Sequence, residues 1–158
     1  MIRAADIADA AAITVLWNEV IRDTTVTFTT ELKLEADVRA MIGDPTRSVL
    51  VVEHDGMFAG FALFGSFRSG PGYARTVEHS IYVRPEFHGI GLGAALMRAL
   101  EQAAVAQGHH VMVAGISGTN QAAVKFHENV GFMQVAHMPE VGQKNGVWHD
   151  MILMQKIM

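Results

Sequence analysis

The stretch at residues 83–94 reads Val-Arg-Pro-Glu-Phe-His-Gly-Ile-Gly-Leu-Gly-Ala, and it decides the fold. A β-branched run ends at Val83, and apolar residues recur at helical spacing after the last of three alternating glycines. Gly89, Gly91 and Gly93 let the backbone turn sharply and let a ligand approach its N–H groups. The first amides of a helix attract an anion by about 0.3–2 kcal/mol. The stretch predicts a strand-to-helix turn that either binds a phosphate or only makes a tight connection.

The same turn contains the dinucleotide-binding pattern G-x-G-x-x-A at Gly89, Gly91 and Ala94. That pattern requires an acidic residue about 20 positions further on, at the end of the next strand. The next predicted strand, residues 111–116, reads Val-Met-Val-Ala-Gly-Ile and has no acidic residue. The turn also lies in mid-chain after a predicted hairpin, so we exclude a dinucleotide-binding domain.

Periodicity on both sides of the turn predicts a single domain over residues 1–158. Asp55-Gly56 between two apolar runs indicates a β-hairpin. A hairpin followed by strand–helix–strand units predicts an α/β fold, with a mixed, mostly antiparallel sheet and helices on both faces. The predicted helices are residues 6–23, 34–42, 92–107 and 120–130. The predicted extended segments are residues 2–4, 26–29, 48–54, 57–64, 76–83, 111–116, 131–136 and 147–154.

Composition and charge narrow the class of protein. Half of the residues are hydrophobic and 18% are charged, which is typical of a globular domain. The formal net charge is −4 and no run of Lys or Arg occurs, so we expect no nucleic-acid partner. The most apolar stretch, residues 57–67, is interrupted by glycines and is far shorter than the roughly 20 residues that cross a bilayer. We therefore expect no membrane association, and any anionic ligand must be held by local backbone geometry.

The number of cysteines and the spacing of the histidines indicate which metal sites, thiol chemistry and cellular compartment to expect. The chain has no cysteine, which excludes disulfides, thiolate metal sites and thiol nucleophiles and fits a cytoplasmic protein. Its eight histidines are scattered, without the H-E-x-x-H spacing of zinc enzymes. We therefore predict no metal site.

Residues 88–93 resemble the cofactor-binding signature of the GNAT superfamily of N-acetyltransferases, Q/R-x-x-G-x-G/A, with His where that signature has Gln or Arg. Further on, Asn120, His127 and the pair Gly131-Phe132 match the spacing of a second segment of that family. The resemblance implies that acetyl-CoA is the co-substrate and that backbone amides of the glycine turn hold its pyrophosphate. The implied cofactor-binding residues are Ile81, Tyr82, Val83, His88, Gly89, Ile90, Gly91, Leu92, Gly93, Ala94 and Asn120.

Three further segments narrow the resemblance. Residues 76–83, 126–132 and 141–150 are similar to the phosphinothricin and methionine sulfone/sulfoximine acetyltransferase group. This similarity implies direct acetyl transfer, in a ternary complex, to the free amine of a small amino-acid-like substrate, and it implies a homodimer. Two alternatives stay open, namely acetylation of a peptide or protein and a non-catalytic regulatory domain that binds acetyl-CoA.

Acyl transfer from a thioester needs a base for the amine, donors for the carbonyl oxygen and a proton for the leaving thiolate. The resemblance assigns the base to Glu78 and the proton to His127. It places the backbone donors at Ile81 and Val83, on a strand that bulges beside the cofactor in that family. On the residue pattern alone, Glu78 and His127 are equally consistent with a solvent-facing carboxylate and a surface histidine.

Four residues are candidates for substrate contacts. Arg75 is suited to pairing with a substrate carboxylate, although an ordinary loop cation has the same appearance in sequence. Phe28 and Lys144 lie in segments similar to the substrate side of the same group. Trp148 lies there too, and a core or dimer contact is its other interpretation.

Overall fold

The computed structural model describes all residues, 1–158, and contains the predicted order of strands and helices. The strands are β1 (Ile2–Ala4), β2 (Ser48–His54), β3 (Met57–Ser66), β4 (Thr76–Val83), β5 (Val111–Ser117), β6 (Met133–Lys144) and β7 (Val147–Ile157). The helices are α1 (Ala10–Asp23), α2 (Glu35–Gly43), α3 (Leu92–Ala106) and α4 (Gln121–Asn129). No helix is long and apolar enough to cross a membrane.

All seven strands form one sheet in the order β1-β2-β3-β4-β5-β7-β6. Only the central β4–β5 pair is parallel, and every other neighbouring pair is antiparallel. Asp55 and Gly56 form the predicted hairpin turn, and both have positive φ, as a two-residue turn of this kind requires. The prediction of a mixed, mostly antiparallel sheet is confirmed.

Helices cover both faces of the sheet and form two separate cores. On one face, α1 and α2 pack on β2 and β3, with Ile13, Ile21 and Phe61 among the buried side chains. On the other face, α3 and α4 pack on the central strands, with Leu96 and Met112 fully buried. α1 and α3 bury apolar side chains at a spacing of three to four residues, as the sequence predicted.

The connection between α1 and α2 differs from the prediction. Residues 26–29 were expected to be extended, but they pair with no strand. The backbone carbonyls here are hydrogen-bonded by a side chain and not by a neighbouring strand. The buried ammonium of Lys144 donates to the carbonyls of Ile21 at 2.5 Å, Thr24 at 2.7 Å and Thr27 at 3.1 Å. This cation also satisfies carbonyls at the C-terminal end of α1, where the helix dipole favours positive charge.

The last two strands are longer than predicted. The prediction ended β6 at residue 136, but the strand continues to Lys144 through a register shift between Met138 and Gly142. Glu140 has positive φ in this bulge, and its N–H donates to Asp150 Oδ1 at 2.9 Å. The bulge accommodates Pro139, which otherwise indicates the end of a strand.

The parallel pair positions the site. β4 and β5 are paired only from Thr76–Val111 to Glu78–Val113, and beyond that point they separate. β4 stays paired with β3 up to Val83, and β5 stays paired with β7 up to Ser117. A gap therefore opens in the middle of the sheet, directly in front of the α3 N-terminus.

Candidate functional site

The gap between β4 and β5 opens into a cleft of about 620 Å³. Its walls come from the second half of β4, the glycine turn, the first turn of α3, the second half of β5 and one face of α4. The residues that line it include Ser80, Ile81, Val83, His88, Gly89, Gly91, Leu92, Gly93, Ala94, Ala114, Gly115, Asn120, Phe126 and His127. The structure thus brings most of the predicted cofactor residues into one cavity, except Ile90, which is exposed and lies outside the lining.

The glycine turn fits a phosphate. Gly89 and Gly91 have φ of 79° and 85°, a region that side chains disfavour, and a Cβ on either would meet no atom within 4 Å. Gly91 is the N-cap of α3, and no side chain caps the helix. The first amides of α3 are therefore open toward the cleft, where their donors and the helix dipole favour an anion.

His88 has a structural contact that the Gln or Arg of the signature did not suggest. Its Nε2 lies 2.7 Å from the carbonyl oxygen of Val83, and because a carbonyl only accepts, Nε2 carries the proton. The side chain therefore ties the end of β4 to the start of the glycine turn. The second ring nitrogen makes no hydrogen bond within the protein.

The edge of β4 supplies backbone donors. The N–H of Arg84 donates to the Ala59 carbonyl of β3 at 2.8 Å, and in an antiparallel ladder such bonds fall on alternate residues. The amides of Ile81 and Val83 therefore face away from β3, toward the gap. The β3–β4 register is unbroken, so the bulge that the resemblance implied is absent. The two amides are free because β5 does not pair with this part of β4.

Tyr82 is among the residues that line the cleft. Its amide faces β3, and its ring packs against Trp17 and Phe61 with centroids 6.3 and 5.4 Å apart. Burial raises the pKa of its hydroxyl to about 12, so the group stays neutral. Tyr82 is therefore a scaffold residue on the α1 side of the sheet.

Glu78 lies on the opposite face of β4 from His79, because side chains alternate along a strand and His79 is buried on the α4 side. A Cβ added to Gly115 would lie 3.1 Å from Glu78 Oε1 and 3.2 Å from Met151 Sδ, so the carboxylate rests over the bare backbone of β5. Glu78 is accessible to solvent, yet desolvation by the surrounding protein raises its pKa above the ordinary value. A carboxylate with a raised pKa beside a cleft is suited to accept a proton.

His127 and His79 form a buried pair at the wall of the cleft. The Nε2 atoms of the two rings lie 3.1 Å apart, and Nδ1 of His127 lies 2.7 Å from the carbonyl oxygen of Ala123. Burial lowers the pKa of His127, although the Ala123 carbonyl opposes this shift, and burial together with His127 lowers the pKa of His79 to about 3. Both nitrogens of His127 are thus engaged within the protein.

Asn120 performs the helix-capping role that its sequence position indicates. Its Oδ1 accepts a hydrogen bond from the Ala123 amide at 3.1 Å, at the N-terminus of α4. Its side-chain nitrogen makes no hydrogen bond within the protein. Asn120 lines the cleft and also a second, polar cavity of about 550 Å³ next to the α1–α2 connection.

Two predicted substrate contacts are used elsewhere in the fold. Lys144 is 5% exposed and spends all three N–H donors on backbone carbonyls at the end of α1 and in the connection that follows it, which leaves none for a substrate. Arg75 donates to the Gly108 carbonyl at 3.0 Å, beside the C-terminal end of α3. The Gly108 carbonyl is beside α3, on the face of the sheet opposite Glu78, so this contact directs Arg75 away from the Glu78 carboxylate.

Phe28 and Trp148 lie at the β6–β7 hairpin. The Phe28 ring stacks on His149 with centroids 5.3 Å apart and covers Gly142, where any Cβ would overlap the ring. Trp148 is 58% exposed, so it fills no part of the core. Neither residue lines the cleft itself.

The chain can now be compared with known proteins. The model of the acetyltransferase (GNAT) family matches residues 14–132. This chain belongs to the GNAT acetyltransferase family. It is 43% identical to the L-methionine sulfoximine/L-methionine sulfone acetyltransferase of Salmonella typhimurium, over 98% of this chain and 92% of that protein. It is 34% identical to the phosphinothricin N-acetyltransferase of Streptomyces viridochromogenes, over 98% of this chain and 86% of that protein.

Solved structures agree with the family assignment. The structure of yncA, a putative acetyltransferase from Salmonella typhimurium with its cofactor acetyl-CoA, has a TM-score of 0.94 and 40% identity, covering 99% of this chain and 92% of that one. A ribosomal-protein-alanine N-acetyltransferase from Brucella melitensis has a TM-score of 0.94 and 32% identity, covering 100% and 99%. The predicted fold, activity and co-substrate are therefore confirmed: this GNAT protein is an N-acetyltransferase that uses acetyl-CoA.

The sequence reasoning missed three residues of this GNAT site. His79 was treated only as one of the scattered histidines, and Gly115 and Met151 were not singled out. The alternation of β4 places residue 79 on the same face as buried Val77, which was the available signal for His79. No group of three or more metal-ligating side chains occurs in the structure.

Proposed function

We propose that this GNAT enzyme acetylates the free amine of a small amino-acid-like substrate, of the methionine sulfone, methionine sulfoximine or phosphinothricin type, by direct transfer in a ternary complex. One observation carries the proposal. The cleft between β4 and β5 meets, on the other side of the sheet, a carboxylate with a raised pKa on Glu78. An amine can therefore approach from the Glu78 side while the co-substrate occupies the cleft, and the absence of cysteine leaves no thiol for an acyl-enzyme.

The cofactor side of the proposal uses backbone groups. The N–H groups of residues 89–94 would hold the pyrophosphate at the N-terminus of α3, with His88 bracing the turn through the Val83 carbonyl. The side-chain nitrogen of Asn120, which lines the cleft and has no partner within the protein, would donate to the pantetheine arm. Acetyl-CoA supplies the activated acetyl group and the thiol leaving group.

The acceptor side uses Glu78. A substrate ammonium must lose a proton before its nitrogen can attack, and Glu78 accepts that proton directly or through one water. The amides of Ile81 and Val83 lie two residues apart on β4, so each serves a different acceptor: one donates to the carbonyl oxygen of the acetyl group, where negative charge develops, and the other to the pantetheine arm. Met151 and the ring of Phe28 offer apolar contacts near the carboxylate and at the adjoining hairpin.

We also propose that residues 1–158 act as one domain, in the cytoplasm, and as a homodimer. The edge strand β6 and the hairpin that follows it support the dimer, because they expose Met133, Val135, Val141 and Trp148 beside an unpaired strand edge. Light scattering should give twice the 17.2 kDa chain mass, and Trp148→Glu should shift the species toward the monomer. A wild-type monomer at every concentration would contradict the dimer.

The experiment that tests the activity measures release of the CoA thiol from acetyl-CoA. The acceptors are methionine sulfone, methionine sulfoximine, phosphinothricin, ordinary amino acids, polyamines and N-terminal peptides. We expect turnover with the first three and a loss of at least about 100-fold in Glu78→Gln, which keeps the shape of the side chain but cannot accept the proton.

The panel also discriminates between acceptor classes. The similarity to a ribosomal-protein-alanine N-acetyltransferase favours a peptide N-terminus as the second candidate acceptor. Turnover with peptides alone would refute the small-molecule assignment and keep the chemistry. Acetyl-CoA binding without turnover on any amine would favour the regulatory alternative.

A further inference from the structure

Arg47 is a cation on the same face of the sheet as Glu78. It directly precedes β2, where the register with β3 places it level with Gly65. Gly65 in turn pairs with Glu78 of β4. Side chains alternate along a strand, and Val49 is buried with α1 and α2, so Arg47 lies on that face too. Arg47 and Glu78 are therefore neighbours across Gly65, which has no side chain to separate them.

The guanidinium of Arg47 extends over β3. A Cβ added to Gly65 would lie 3.3 Å from Nη1, 3.6 Å from Cζ and 4.0 Å from Nη2, so the planar group rests on bare backbone. Adjacent strands are about 4.8 Å apart, so the guanidinium is roughly one strand spacing from the backbone of Glu78. On the other side of Glu78, Gly115 leaves the backbone of β5 bare. The two glycines thus form an open floor on both sides of the carboxylate.

Two nitrogens of Arg47 are free to bind a ligand. Its Nε donates to Asp44 Oδ2 at 3.2 Å, and Nη1 and Nη2 have no hydrogen-bond partner in the protein. A tight turn supports this contact, because the Arg47 amide donates to the Asp44 carbonyl at 3.1 Å and Pro45 occupies the second position of the turn. The Arg47 side chain is 36% exposed, so a ligand can reach it from solvent. The two free nitrogens suit the two oxygens of a carboxylate.

Arg47 and Glu78 do not neutralise each other. The carboxylate that pairs with Arg47 is Asp44, and burial raises the pKa of Glu78 without a cation that lowers it. This face of the sheet therefore presents a free carboxylate and a free cation side by side. An amino acid carries its ammonium and its carboxylate on one carbon atom and is complementary to this pair. A polyamine or the N-terminus of a peptide has the amine without an adjacent carboxylate.

We propose that Arg47 selects the acceptor: Nη1 and Nη2 bind the α-carboxylate of the amino-acid substrate while its amine lies at Glu78. This inference rests on the proposed function and narrows it to acceptors with a free α-carboxylate. Arg47 takes no part in the transfer of the acetyl group or of the proton. Arg75, the cation that the sequence suggested for this contact, donates to the Gly108 carbonyl on the opposite face of the sheet.

The test compares methionine sulfone with its carboxamide, which keeps the amine and the side chain and lacks the negative charge. CoA-thiol release gives kcat and KM for the wild type, Arg47→Met and Arg39→Met. Arg47→Met should fold, because Asp44 is accessible to solvent and keeps its hydrogen bonds to the amide and hydroxyl of Thr46. Arg39→Met is the matched control, since Arg39 is an exposed residue of α2 that pairs with Glu35.

The wild type should prefer the free acid to the carboxamide by about 10- to 100-fold in kcat/KM, as expected for hydrogen bonds between charged groups. Arg47→Met should lose this preference through a higher KM for the acid, and its kcat/KM for the carboxamide should stay within about threefold of the wild type. Arg39→Met should match the wild type with both acceptors. Calorimetry should give the same affinity for acetyl-CoA in all three proteins, because Arg47 does not line the cleft.

Three results would overturn the role of Arg47 and keep the proposed function. One is an equal loss with both acceptors in Arg47→Met, which would show a structural role only. Another is an Arg47→Met protein that still prefers the acid. The third is a preference for the acid that Arg75→Met removes and Arg47→Met does not, which would assign the carboxylate to Arg75. Wild-type turnover confined to acceptors without an α-carboxylate, or with no amine at all, would refute the proposed function and the role of Arg47 together.

Discussion

The contact between Gly115 and Glu78 gives a sharp test of the proposed base. In Gly115→Ala the new Cβ would lie 3.1 Å from Glu78 Oε1 and 3.2 Å from Met151 Sδ, where ordinary van der Waals contacts are 3.4–4 Å. Both neighbours must retreat by a few tenths of an ångström. Because both atoms are at the ends of flexible side chains, the free energy of unfolding should change by less than about 1 kcal/mol.

The effect on catalysis should be larger than the effect on stability. Misplacement of a catalytic group by about 1 Å can cost roughly 100-fold in rate, so a shift of a few tenths of an ångström predicts a loss of about three- to tenfold in kcat/KM. The assay is CoA-thiol release, with urea denaturation of the same proteins. Gly43→Ala is the matched control, because a Cβ there meets no atom within 4 Å and its φ is not positive.

A double-mutant cycle identifies the route of the loss. If Gly115→Ala acts by displacing the carboxylate, it should add little to Glu78→Gln, since the group it displaces can no longer accept a proton. Full activity in Gly115→Ala would refute the reasoning that the position of Glu78 limits the reaction. Equal losses in both backgrounds would show that the new methyl group obstructs the cleft instead.

Three further changes test other parts of the structure. Lys144→Met should destabilise the fold by about 2–4 kcal/mol in urea denaturation, because three hydrogen bonds from a buried cation are lost, and a change below about 1 kcal/mol would contradict the stabilising role of these bonds. Gly91→Ala should weaken acetyl-CoA binding by calorimetry about tenfold, or about 1.4 kcal/mol, since φ of 85° disfavours a side chain and the methyl group faces the phosphate position; unchanged affinity would place the pyrophosphate elsewhere. Acidification should destabilise the wild type more than His79→Gln, because the folded-state pKa of His79 is lowered from 6.5 to about 3 and the unfolded chain binds the proton first. The difference between the two proteins should be absent above about pH 7 and grow to about 1 kcal/mol at pH 5.5 and about 3 kcal/mol at pH 4.5, and parallel stability curves would contradict it.

The parts of the fold that were predictable are those with a local cause. Asp55-Gly56 fixes a two-residue hairpin by its own backbone preference, and the apolar stripe of α3 needs no knowledge of its partners. The α1–α2 connection was predicted wrongly because its conformation depends on Lys144, more than 100 positions away. β6 was predicted too short because Pro139 normally ends a strand, and only the pairing with β7 makes the bulge favourable.

The candidate site also contains features that the sequence predicts locally and features that depend on distant residues. The glycine turn was visible because its function lies in consecutive backbone amides, which the sequence of residues 88–94 determines by itself. Lys144 was predicted as a substrate contact because residue type does not indicate which carbonyls a cation will meet in the folded chain, and Arg75 stays a prediction with one such contact. The hydrogen bonds of His127 could not be predicted, because its partners, Ala123 and His79, become neighbours of its ring only in the folded chain.

Adjacent residues on β4 lie on opposite faces of the sheet, and the geometry of a strand explains this. Side chains alternate, so Glu78 faces the side on which we propose that the amine binds, while His79 faces α4 and the cleft. Pairing with β5 ends at Glu78, so the amides beyond it are released where the two sides meet. A one-residue change of register would exchange the carboxylate and the imidazole and return those amides to β3. The unbroken β3–β4 ladder is therefore a requirement of the catalytic arrangement, and not only of the fold.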